Sequence, residues 1–127
     1  MTSQLNVDTI KGQTAETSIT IQGEGSATTN LQQGLAKFWV KGTDAAVLSD
    51  SLNCASGTDN GTGDYTYAIT NDMANANYTP QCTNVTTGNY ILIAHAVAVG
   101  TIQVKSRSDS TSAHDDPNGI AIFGDLA

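Results

Sequence analysis

Three places in this 127-residue chain bring together side chains able to do chemistry. His114-Asp115-Asp116 sets an imidazole beside two carboxylates, a combination that can ligate a metal or serve as a general base. Asp59-Asn60-Gly61-Thr62-Gly63-Asp64 clusters carboxylates around glycines, as calcium loops do. Cys54 and Cys82 are the only cysteines. Each of the three lacks something its chemistry needs. No second histidine or nucleophilic serine stands at a motif spacing from His114, and a loop rich in Ser and Asp reads as solvated. The acidic loop has neither the alternating ligand positions nor the distant bidentate Glu of an EF-hand. The cysteines are too few for a disulfide framework and lack CxxC spacing, so they read as two reduced, packed thiols. His95, amid aliphatic residues, reads as a hydrogen-bonded core or interface histidine. The expectation is therefore no enzyme, no cofactor and no metal site.

The elements carrying these residues read as strands. From Leu35 to Leu52, Lys37, Trp39 and Lys41 share one parity while Ala36, Phe38 and Val40 share the other, the period of two of a pleated strand. Tyr65, Tyr67 and Ile69 share one face of a later strand, and Pro80 marks the strand near it as an edge. Tyr90–Val104 is the longest apolar run, and Ile91, Ile93, Val97 and Val99 change phase with Ile102 and Val104 at Gly100, as a hairpin turn or a glycine bulge would cause. Apolar on both parities before Gly100, the run reads as buried on two sides. Asp50 stands out of phase with Leu48, Leu52 and Cys54, the mark of a bulge or a satisfied polar group. Ile120–Phe123 forms the last strand. Turn signals at Gly42, Gly61, Gly88, Gly100 and Gly119, with 13% charged residues, give an all-β fold: an antiparallel β-sandwich or short barrel, jelly-roll-like.

Residues 1–30 differ in texture from the head, residues 31–127. Two short alternating pieces, Leu5–Ile10 and Ser18–Ile21, lie between polar linkers. A two-stranded ribbon cannot offset its own conformational entropy, so Leu5, Val7, Ile10, Ile19 and Ile21 are read as assembly contacts, on a neighbouring chain or on the main domain. The net charge of −7 opposes binding to nucleic acid phosphates. No run of 18 apolar residues and no charged leader followed by an apolar stretch appears, so neither a membrane span nor a signal peptide is expected and synthesis in a cytoplasm is. The sequons at Asn60, Asn77 and Asn84 are then idle.

The ordered set SITIQGEGSATTNLQQGLAKFWV, DSLNCASGTDNGTGDYTY, MANANY and IAIFGD resembles a module common in marine bacteriophage virion proteins, where it is labelled a tail-fibre or fibre-like structural protein. The likeness covers about Leu5 to Asp125, and no catalytic motif travels with it. It implies a homotrimer on the virion surface with a short N-terminal stem, made in the host bacterial cytoplasm. Because Met1 lies only a few residues before the first stem strand, attachment by the arm alone is expected. That points to a capsid decoration (cement) or head-fibre protein bound to the major capsid protein or another virion protein. The alternative is the receptor-binding head of a tail fibre, recognising a host-surface glycan or protein. Trp39, Tyr65, Tyr67 and Tyr90 are the candidates for such a recognition surface, although aromatics at alternate strand positions are more often core or inter-subunit packing, and Trp39 is expected to be buried.

Overall fold

A computed structural model describes residues 4–13, 19–22, 26–86, 88–108 and 112–127. The chain divides into two units, Met1–Leu35 and Ala36–Ala127. In the first, β1 (Thr20–Gln22) and β2 (Thr28–Asn30) form a small antiparallel ribbon, followed by one helical turn, α1 (Leu31–Gly34). The Leu31 amide donates to the Ile19 carbonyl and ties the turn to the ribbon. Leu5–Ile10, expected as a strand-like piece, pairs with nothing in the ladder pattern; an alternating segment without a partner strand has no reason to be a strand. Of the second predicted piece, Ser18 lies outside the described residues.

The second unit is a β-sandwich of two four-stranded antiparallel sheets. Its strands are β3 (Ala36–Gly42), β4 (Leu48–Leu52), β5 (Cys54–Gly61), β6 (Asp64–Ile69), β7 (Thr79–Asn84), β8 (Tyr90–Val97), β9 (Thr101–Ser108) and β10 (Asn118–Phe123). One sheet runs β4-β3-β10-β7 and the other β5-β6-β9-β8. Between them lie Phe38 and Val40 from β3, Tyr65, Tyr67 and Ile69 from β6, Ile102 and Val104 from β9, and Ile120 and Ile122 from β10, with Met73 and Tyr78 closing one end. These residues alternate along each strand, so every second side chain enters the core.

The single strand expected from Val47 to Ala55 is in fact two strands in different sheets. Asn53 makes the corner between them, at a φ of 60° that an L residue with a short amide tolerates better than most. Its side chain spans both sheets: Nδ2 donates to the Lys37 carbonyl at 3.1 Å and the Asn71 carbonyl at 3.0 Å, and Oδ1 accepts the Asn71 amide at 2.7 Å. Leu52, expected to share an inner face with Leu48, points outward, because the register shifts between Lys41 and Gly42 where β3 pairs β4. Asp50 stands exposed opposite Lys41 and is not itself a bulge.

The phase of β8 also differs from expectation. Leu92 is buried and Ala94 and Val97 pack against the core, whereas Ile91 and Ile93 face out. The change of parity falls at a register shift between Ala94 and Ala96, which leaves His95 as the extra, exposed residue rather than a core histidine. The predicted turn at Gly100 joins β8 to β9, and Pro80 sits on the edge strand β7.

Asn53→Ala removes these three hydrogen bonds and a fourth, from Asn71 Nδ2 to Asn53 Oδ1 at 3.0 Å, and places a Cβ-bearing residue without a compensating amide in the left-handed region. A loss on the order of 3 kcal/mol in denaturant unfolding is expected. Asn53→Gly keeps the permitted backbone, and should be less damaging than Asn53→Ala by about 1 kcal/mol.

Candidate functional site

Two of the three groups singled out for chemistry, the HDD segment and the acidic loop, meet at one end of the sandwich, where the loop 112–117 returns across β6 and β9, while Cys54 and Cys82 stand apart from it. Asp116 is buried, and its Oδ2 lies 3.0 Å from His114 Nδ1 and accepts from Ser106 Oγ at 3.3 Å. The Asp116 amide donates to the Tyr65 hydroxyl at 3.0 Å, and that hydroxyl lies 3.3 Å from Asp115 Oδ1. Asp115 Oδ1 also accepts the Gly63 amide at 2.6 Å. The Tyr90 ring stacks on His114 with centroids 4.2 Å apart. Of the HDD segment, expected as a solvated loop, His114 and Asp115 are exposed and Asp116 alone is buried; the partner that holds it, Tyr65, lies about fifty residues away in sequence, so no local spacing could reveal it.

Serine, histidine and aspartate meet here, but in the wrong order for a hydrolytic triad. Nucleophilic catalysis places the imidazole between hydroxyl and carboxylate, so that it can take the proton. Here the carboxylate stands in the middle, and Ser106 is fully buried. The arrangement fastens the loop to the sheet. Gly63 takes part through its backbone: its φ of 64° and the nearness of the Ser106 carbonyl and His114 backbone leave no room for a Cβ.

Beside this latch, Asp64 accepts from Gln103 Nε2 at 2.7 Å and lies 3.5 Å from Lys105 Nζ. Although partial burial alone would raise its carboxyl pKa, the hydrogen bonds from Gln103 and Asn60 and the charge of Lys105 together hold it below the usual range. Among the described residues no group of three or more His, Cys, Asp or Glu side chains could share a metal ion. Cys54 and Cys82 are free thiols, and burial raises the pKa of both.

The four aromatic candidates separate. Tyr65 and Tyr67 have no exposed surface and belong to the core, so the recognition role considered for them is corrected. The Tyr67 hydroxyl donates to Asn118 Oδ1 at 2.8 Å, and a Cβ on Gly42 would overlap it. Tyr90 is half-buried against His114. Trp39, expected inside, lies half-buried on the outer face of the β4-β3-β10-β7 sheet, in phase with Lys41. Across it in register are Leu52 on one side and Ala121 and Gln81 on the other. Gly119 and Ala121, having almost no side chain, leave a shallow trench of about 340 Å³ walled by Trp39, Gln81 and Thr83. Of the arm residues, Leu5, Val7, Ile10 and Ile21 are exposed and Ile19 is half-buried.

Two outcomes follow from this geometry. Trp39→Ala should cost about 1–2 kcal/mol, between the negligible effect of a surface change and the larger loss of a core tryptophan, as read by the urea midpoint. Burial holds the Tyr67 hydroxyl at about 12 against an ordinary 10.0, and raises Tyr65 and Tyr78 in the same direction. The folded state thus keeps protons that the unfolded state loses, so stability is complete below pH 10 and falls as pH rises toward 12 and beyond. Tyr67→Phe should flatten that fall in a pH series of thermal melts.

Compared with known protein families, curated proteins and solved structures, the chain matches none.

Proposed function

We propose that the chain is a non-enzymatic structural protein of a bacteriophage virion. It is a homotrimeric capsid decoration or head-fibre protein, attached to capsid protein through its N-terminal arm and carrying its sandwich outward on the particle surface. The observation that carries the attachment is the arm itself. Leu5 is 79% exposed, and Val7, Ile10 and Ile21 are each more than half exposed, in a unit whose own strands are three residues long. Apolar side chains strung along such a segment gain their stabilisation only when another surface covers them. The resemblance of the ordered motifs to those of virion fibre modules supports the setting.

A second reading, a tail-fibre head that recognises a host-surface glycan, is favoured by the trench at Trp39, where a ring face stands beside the polar side chains of Gln81 and Thr83. Sugars are bound by such pairings of an apolar platform with a few convergent hydrogen-bonding groups.

Deleting residues 1–22 should leave a cooperatively folding head that no longer joins particles lacking the protein. Rebinding of the armless head to those particles, measured by co-sedimentation, would show that attachment lies on the sandwich. Retention on host-surface polysaccharide by the full chain, lost in Trp39→Ala, would favour the second reading.

A further inference from the structure

Gly119 lies inside β10, opposite Lys41 of β3 on one side and Thr83 of β7 on the other, and nothing in the fold calls for a glycine there. Its φ is not positive, and no register shift falls beside it. A Cβ added to it would meet nothing nearer than Thr83 Cγ2 at 3.6 Å and Val85 Cγ2 at 3.7 Å, which is ordinary contact, whereas one added at Gly42 would overlap the Tyr67 hydroxyl. Glycine within a strand weakens it through entropy and lost packing. Where neither a bulge nor a bend needs it, the third setting in which strand glycines recur is the close approach of a ligand. What the missing side chain leaves is the trench of about 340 Å³ on the outer face, and Ala121 continues its floor.

The walls narrow the choice of occupant. Trp39 supplies an indole, Gln81 an amide and Thr83 a hydroxyl, and Lys41, in register with Gly119, adds an ammonium at the rim. Among the described residues no hydrogen bond or ion pair engages the side chains of Trp39, Lys41, Gln81 or Thr83. Asp50, across from Lys41, turns its Oδ1 to the Ser51 amide at 2.8 Å instead. A peptide adding as a strand finds no place on the floor, because β10 is already paired on both sides. Lys41 opposes a cation, and the net charge of −7 opposes a polyanion. What remains is a neutral molecule with an apolar face and a rim of hydroxyls. The trench lies at the small end of ligand pockets, roughly 300–1,000 Å³, which suits a single sugar ring.

We propose that the trench is a subsite for one neutral hexopyranose residue of a polysaccharide, its apolar face on the Trp39 indole and its hydroxyls bonded by Gln81, Thr83 and Lys41, over a floor that Gly119 keeps low. This deepens the glycan-recognition reading and rests on it, and it holds whether the sandwich is borne on a capsid or on a tail fibre. Gly119 is then the residue that sets which rings enter, although it touches none of them through a side chain. A single shallow subsite binds weakly, so retention on a polysaccharide draws on several heads acting together.

Trp39 is the only tryptophan, so its fluorescence in the full chain reports on this site alone. The chain is titrated with neutral oligosaccharides of glucose, galactose and mannose, with oligoguluronate as an acidic probe and chitosan oligomers as a cationic one. At least one neutral oligosaccharide should shift the emission, by an amount that added salt leaves unchanged, and the two charged probes should not. Gly119→Val raises the floor while leaving Trp39 in place and favouring the strand, so it should melt no lower than the unaltered chain and lose the response. Thr83→Val keeps the shape and removes the hydroxyl, and should weaken the response. An undiminished response in Gly119→Val, a response confined to oligoguluronate, or an emission that shifts with protein concentration alone, the sign of a second copy in the trench, would each overturn the subsite. If no probe moves the emission while the full chain is still retained on host-surface polysaccharide, the trench is wrong and glycan recognition stands elsewhere on the molecule; if retention is absent as well, both fall.

Discussion

One asparagine carries the connection between the two sheets. At Asn53 the chain leaves the β4-β3-β10-β7 sheet and enters the other, and a single amide binds the Lys37 carbonyl of the first and the backbone of Asn71, just beyond β6 of the second. Sheets that pack face to face are held mainly by apolar contact, which has no direction and tolerates sliding. The Asn53 hydrogen bonds supply direction. They fix the offset at which Phe38 and Val40 meet Tyr65 and Tyr67, and hence which residues are left outside.

A second set of directed contacts works at the other end. Tyr65 and Tyr67 bring large rings into the core, and each hydroxyl must then find a partner because an unpaired buried hydroxyl costs about 1–3 kcal/mol. Tyr67 finds Asn118 on the opposite sheet, and Tyr65 finds the Asp116 amide in the loop that leads into β10. The two tyrosines thereby place β10 in register and bring Asp116 and Ser106 together. What resembled a catalytic grouping by composition is a consequence of burying two phenols.

The sequence disclosed most of this fold where one face differs from the other. Lys41, exposed and in phase with Trp39, was the cue that Trp39 looks outward, although Lys37 on the same parity is itself buried; the general preference of tryptophan for cores was the weaker cue and misled. In β8 there was no contrast to read. Ile91, Leu92, Ile93 and Ala94 are apolar on both parities, so the inner set could not be distinguished until the bulge at His95 and the pairing with β9 were known. Asn53 carried only the weak hint that asparagine tolerates a positive φ, and its neighbours Leu52 and Cys54 read as one continuous strand. The latch around Asp116 was illegible because its members come from β6, β9 and the returning loop, which only tertiary structure unites.

The place of β10 has a consequence for the order in which the molecule comes into being. It lies between β3 and β7, pairing with both, although it is the last strand to be made. During synthesis β3 has only its hairpin with β4 to rest on, and β7 has no neighbour in its sheet, until Asn118–Phe123 emerges and slides between them. Pairings between strands so distant along the chain form slowly, because loop closure must precede any gain in contact energy. The first unit, with its exposed Leu5, Val7, Ile10 and Ile21, is therefore made well before the sandwich can close.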